Sequence, residues 1–128
     1  MKITTLVLLS LIYTTPALAD WQCDIQRGVA ADDLRFRELP RLADPAYGRF
    51  RVDQRTGEIV GAYATKGYSH TVQKTQYEFN VYSKGKDQEV VIVQHLTIYP
   101  MEDQQAFSLY LSSLNALMLG TCIEVAIE

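Results

Sequence analysis

The sequence predicts a mainly β protein: a small antiparallel sheet, sandwich or barrel-like, with one disulfide and room for one short helix. Three observations carry this. Apolar and polar side chains alternate through Arg49–Asp53 and Tyr77–Tyr82, the two-residue period of a half-buried strand. Turn-forming clusters at 53–57 and 83–87 separate these runs. The two cysteines, Cys23 and Cys122, stand near opposite ends of the chain, where one bond would close nearly the whole of it.

The first nineteen residues follow a different logic. Met1-Lys2-Ile3 is a short start with one positive charge, Leu6 to Tyr13 is an apolar run broken by Ser10, and Ala17-Leu18-Ala19 is a small-x-small tripeptide. Charge, apolar core and A-x-A in this order are the pattern of a secretory signal. Residues 1–19 are therefore expected to be a signal peptide cut between Ala19 and Asp20. The apolar run is about half of the roughly 20 residues that a bilayer requires. Asp20, not a cysteine, follows the cut, which is not the lipoprotein arrangement. Residues 20–128 are then expected to be a single β-rich domain, periplasmic or secreted, with no stable membrane insertion once the signal is gone.

Without Lys2 the exported part carries eleven cationic and fifteen acidic residues, a formal charge of −4. That balance argues against a nucleic-acid surface. All seven arginines lie between Arg27 and Arg55, interleaved with Asp32, Asp33, Glu38, Asp44 and Asp53. Alternating signs cancel the field, so a solvated mixed face is expected rather than an anion site. In an oxidising compartment an isolated cysteine pair reads as a structural bond between Cys23 and Cys122. Closing so long a loop is worth about 4–5 kcal/mol in the chain-entropy model. A redox pair would instead sit close in sequence, as C-x-x-C.

Along the exported chain, Asp20–Asp24 can begin a strand with Trp21 and Cys23 on one face. Asp32–Leu39 is ambiguous, with Asp32 or Asp33 able to cap a short helical turn that Pro40 ends, and Pro40–Gly48 reads as a loop. Phe50 and Val52 then point one way, Arg49, Arg51 and Asp53 the other. In the turn Asp53-Gln54-Arg55-Thr56-Gly57 the Asp53 carboxylate can accept backbone N–H bonds, and Gly57 can take the positive φ of a bulged hairpin. Glu58–Gly61 returns as its second strand. Ala62–Lys74 reads as a loop with a ragged strand edge. Tyr77, Phe79 and Val81 mark another half-buried strand, Ser83–Asp87 a turn. Glu89–Tyr99 is the longest strand, its Val90–Val93 centre expected to be covered on both faces. From Phe107 to Leu119 the apolar spacing suits a helix. It also divides into Phe107-Leu109-Leu111, a turn at Ser112–Asn115 and a strand from Leu117 to Val125.

The string from Phe50 through Asp53, Thr56 and Gly57 to Gly61, with an ending in which Phe107 and Tyr110 are followed by Gly120-Thr121-Cys122, resembles a loose group of small exported proteobacterial proteins. In that group a hairpin carries F-x-[VI]-D-x-x-T-G-x-x-x-G, and G-T-C lies in the final strand. The resemblance spans roughly Phe50 to Cys122. It implies that the C-terminal segment is a hairpin rather than a helix, and the hairpin is the reading adopted. This chain departs from the group in its apolar stretch Leu114–Leu119. The group has no catalytic residues to transfer.

Direct inspection finds no reactive constellation either. Gly67-Tyr68-Ser69-His70-Thr71 imitates a nucleophile elbow, but Thr71 stands where the second glycine belongs, and the parallel sheet is missing. His70 and His95 lack the short ligand spacing of a zinc site, and His95 reads as a hydrogen-bonded wall position. Glu102-Asp103 reads as a solvated turn. No phosphate-binding loop is present. No catalytic residue, metal ligand or cofactor is assigned. Of the seven tyrosines after the signal, Tyr63, Tyr68 and Tyr82 are candidates for a half-exposed binding surface.

The expected function is therefore that of a non-enzymatic periplasmic or secreted binding or accessory protein, of the inhibitor or immunity-factor kind. Its partner would be an envelope or secreted protein. A small apolar-ligand carrier is the alternative, and a small His-dependent hydrolase the least favoured.

Overall fold

Alternation along the chain becomes one antiparallel sheet in the computed structural model, which describes residues 19–32, 35–39, 48–100 and 104–126. In chain order the strands are β1 (Asp20–Asp32), β2 (Arg35–Glu38), β3 (Arg49–Val52), β4 (Ile59–Gly61), β5 (Ser69–Lys74), β6 (Phe79–Asp87), β7 (Val90–Tyr99), β8 (Gln105–Leu111) and β9 (Ala116–Val125). They lie side by side as β4-β3-β1-β9-β8-β7-β6-β5, with β2 paired to the second half of β1. No α-helix occurs among the described residues. The residues expected to form a signal peptide lie outside them up to residue 18, as do most of the expected Pro40–Gly48 loop and the Glu102-Asp103 doublet.

The sheet curls on itself because one of its faces is apolar. Cys23, Phe50, Val52, Phe79, Val81, Leu96, Ile98, Phe107, Leu109, Leu111, Met118 and Cys122 are buried on the inside. Aromatic side chains of strands that are not neighbours meet across this interior. Phe50 on β3 stands edge-on to Phe107 on β8 with ring centroids 5.1 Å apart, and Trp21 on β1 lies 6.4 Å from Phe79 on β6. Burying each such side chain is worth about 1.5–3 kcal/mol. The result is a curled half-barrel, strand-paired from end to end along its path.

The turn of the β3–β4 hairpin packs against the inner side of β5 and β6. Asp53 accepts from the backbone N–H of Arg55 at 2.7 Å and of Thr56 at 3.2 Å, and Gly57 takes φ +79°. Burial pushes the Asp53 carboxyl up, but those two N–H groups and the Arg55 guanidinium outweigh it and hold the group below its usual range. The packing is close: a Cβ on Gly57 would stand 2.6 Å from Val81 Cγ1 and 3.0 Å from Val72 Cγ2.

Cys23 and Cys122 are direct cross-strand neighbours on β1 and β9 and form the disulfide. The C-terminal segment is the hairpin and not the helix: β8 and β9 pair from Gln105↔Cys122 to Leu111↔Ala116 around a turn at Ser112–Asn115. The apolar residues that mimicked a helical stripe are divided between two strands, where Phe107, Leu109, Leu111 and Met118 share the inner face.

Several expectations fail for identifiable reasons. In the ambiguous stretch Asp32–Leu39, where the sequence allows a short helical turn, the described residues 35–38 pair with β1 as strand β2. Ser83–Asp87 is no turn, since β6 runs on to Asp87 and the reversal falls at Gln88-Glu89, where Gln88 takes φ +55°. Val90–Val93 is not covered on both faces, and Val90 is 64% exposed. Lys84 is the last residue of β6 that pairs with β5, and Gln94 the first of β7 that pairs with β8. The tip of the β6–β7 hairpin therefore extends past its neighbours. Tyr77 lies in the turn before β6, exposed, rather than in the strand.

Candidate binding face

The outer face is set by the same alternation that buries the core. With Phe79, Val81, Leu96, Ile98, Leu109 and Met118 inside, Asn80 and Tyr82, His95 and Thr97, Ser108 and Tyr110, and Leu117 point out. The register then lines them up. Thr71, Tyr82, His95, Tyr110 and Leu117 form one row across five strands, and Gln73, Asn80, Thr97, Ser108 and Leu119 the next.

Within these rows a polar network fixes the imidazole. Thr97 Oγ1 donates to Asn80 Oδ1 at 2.8 Å, and His95 Nε2 lies 3.0 Å from that oxygen and 3.1 Å from Thr97 Oγ1. Asn80 and Thr97 are only 6% and 5% exposed although they stand on the outer face. An amide oxygen can only accept, so Nε2 is the donor in this contact. The Tyr82 ring stacks on the imidazole at 4.2 Å and 18°. Chemically this is a positioning device. A base that activated Thr97 would have to accept its proton, whereas Nε2 is a donor here and the hydroxyl proton is engaged by Asn80.

A second imidazole lies on the opposite side. His70 Nδ1 is 2.8 Å from Ser83 Oγ, and Ser83 pairs in register with Gln94. The serine has the distance of a nucleophile–base pair but is buried, and among the described residues no third group orients the ring. Gln94 Oε1, also buried, has no hydrogen-bond partner among them.

The structure does not bring the sequence-derived candidates together. His70 and His95 face opposite sides of the sheet. Ser69 is exposed on β5, and the partner of His70 is Ser83, not Ser69. Tyr82 is on the outer face, while Tyr68 packs against the inner side at Gly85 and Tyr63 against the core. Burial raises the Tyr63 phenol above its usual range. Asn80 and Thr97 were not singled out by sequence, and Tyr110 entered only through the resemblance of the C-terminal ending. His95 and Thr97 could have been paired by their i, i+2 spacing, but Asn80 and Tyr110 need the register between strands.

The arginines form ion pairs on exposed positions: Arg27 with Glu38, Arg49 with Asp24 at 2.7 Å, Arg51 with Asp20 at 3.2 Å and Arg55 with Asp53 at 3.7 Å. Glu38 is held below and Arg27 and Arg49 above their usual ranges, chiefly by these hydrogen bonds. Among the described residues no three His, Cys, Asp or Glu side chains gather as a metal site, and no helix is long and apolar enough to cross a membrane. Comparison with protein-family models, with curated proteins and with solved structures returns no match.

Proposed function

We propose that this chain is an exported, non-enzymatic binding or accessory protein that docks an envelope or secreted protein through the outer face of β6–β9. The observation that carries the reading is the partly exposed row Tyr82–His95–Tyr110–Leu117, in which Tyr82 stacks on His95 and His95 is hydrogen-bonded to the buried Asn80 and Thr97 of the neighbouring row. Tyrosine offers large contact area at small entropic cost, and a locked imidazole adds an oriented polar group. Export is supported by the signal pattern and by a disulfide that suits an oxidising compartment. The likeness of the β3–β4 hairpin and the Gly120-Thr121-Cys122 ending to small exported proteins points the same way. A carrier needs interior room, and the inside of this sheet holds Phe50, Phe107, Leu96, Ile98, Leu109 and Leu111.

Photo-crosslinking in the producing cell tests it. A photoreactive residue at Tyr110 is expected to give one discrete adduct, lost when Tyr82→Ala and Leu117→Asp are combined. The same residue at exposed Val60, on β4, is expected to give none. Identical adducts from both positions, or none from Tyr110, would overturn the reading.

A further inference from the structure

The two ends of the sheet are finished differently. At β4 the chain caps its own edge: Ile59 N–H donates to Thr65 Oγ1 at 2.9 Å, and Ile59 C=O accepts from Thr65 N–H at 3.0 Å. At β5 nothing equivalent occurs among the described residues. The phase of its ladder follows from the turn that joins it to β6. Thr75 N–H donates to Glu78 C=O at 2.9 Å, so Thr75 and Glu78 are a hydrogen-bonded pair. With a continuous register, Gln73 and Thr71 repeat that state toward β6. His70, Val72 and Lys74 therefore direct their N–H and C=O groups away from the sheet, and no backbone partner meets them among the described residues.

Charge decides what suits this edge. The chain as a whole is at −3, yet residues 66–87, through the end of β6, hold four lysines, Lys66, Lys74, Lys84 and Lys86, against Glu78 and Asp87. The ion pairs among the described residues all use arginine and none uses these lysines. Lysines beside an edge oppose its pairing with a copy of itself, because two such segments side by side place like charges together. They favour a strand of opposite sign.

We propose that the outer edge of β5 takes up an extended acidic peptide segment as an added strand, the segment's backbone pairing with His70, Val72 and Lys74 and its carboxylates facing the lysines. The inference rests on the reading that the partner is a protein, and supplies the chemistry of one part of it. Main-chain bonds would give affinity and the lysines the choice of charge.

A fluorescein-labelled octapeptide repeating Glu-Glu-Val-Val serves as the probe, read by polarisation against the full exported protein. The repeat puts carboxylates on both faces of the added strand, as Lys74 and Lys84 lie on opposite faces of the sheet. We expect binding that weakens as salt rises. Affinity should fall at least tenfold with Lys74→Glu and Lys84→Glu together. It should fall as far when the peptide is N-methylated at alternate residues, which keeps every charge and removes the donors. Val72→Pro, at a position whose N–H points away from the sheet, should have the same effect in protein that retains its disulfide and far-UV spectrum. Equal binding of the N-methylated peptide, equal binding of a Lys–Val peptide, or no binding by the Glu–Val peptide would each overturn the proposal. So would a dimer that Val72→Pro dissociates, which assigns the edge to a second copy. Tyr82→Ala with Leu117→Asp should leave peptide affinity unchanged, so that failure here is separable from failure of the outer-face reading.

Discussion

Gly120 sits where the bulge of β1 crosses the last strand, opposite Ile25. A Cβ at this position would overlap the Asp24 carbonyl oxygen and stand 2.6 Å from Phe107 Cε1. Neither neighbour can retreat, since one is backbone and the other a buried core ring. Gly120→Ala is therefore expected to cost about 3 kcal/mol or more, seen as a lowered urea midpoint or failure to accumulate. Asp53 is different because its partners are local. Asp53→Ala removes an acceptor for two backbone donors, and about 1 kcal/mol is expected from the parallel with helix caps. The native carboxyl is held below its usual range, so its contribution is present above the ordinary Asp value near 4 and disappears as pH falls through the folded value. The gap between wild type and Asp53→Ala should narrow on acidification and stay constant from pH 5 to 7. The role of Asp53 was legible in the sequence because turn chemistry spans five residues. That of Gly120 was not, since Asp24 lies at the far end of the chain.

At the scale of elements, the readings that failed needed to know who the neighbours are. Four β-branched or apolar residues at Val90–Val93 describe strand propensity well, yet burial depends on flanking strands, and β5 and β8 do not extend to that tip. The reverse holds at Phe107–Leu119. There, helical spacing was an accident of two strands and a four-residue turn, and only a second source of information, the Gly120-Thr121-Cys122 ending, favoured the hairpin. The candidate binding face suffers from the same limit. Tyr82 and His95 were each visible, but their stacking depends on β6 and β7 being in register. Hydrogen exchange checks the assignment: amides of β9, flanked by β1 and β8, should be among the slowest, and those of 86–92 among the fastest. Slow exchange at Val91 would mean that the tip is covered after all.

For the molecule as a whole, the disulfide links neighbours in space that are 99 residues apart in sequence. β1 and β9 are adjacent in the middle of the sheet, so every other strand except the few residues flanking the cysteines lies inside the loop that the bond closes. An unfolded chain so tied loses conformational freedom on the scale of about 4–5 kcal/mol, while the folded sheet would keep its ladder and its core without it. The double variant Cys23→Ala, Cys122→Ala should therefore retain the far-UV signature of the sheet but lose up to about 4 kcal/mol of stability. Its denaturant dependence should steepen, because the untied unfolded state exposes more surface. If stability falls by less than about 1 kcal/mol with an unchanged slope, the unfolded chain must already hold its ends together. In that case the β1–β9 pairing, not the sulfur bridge, is what orders this fold.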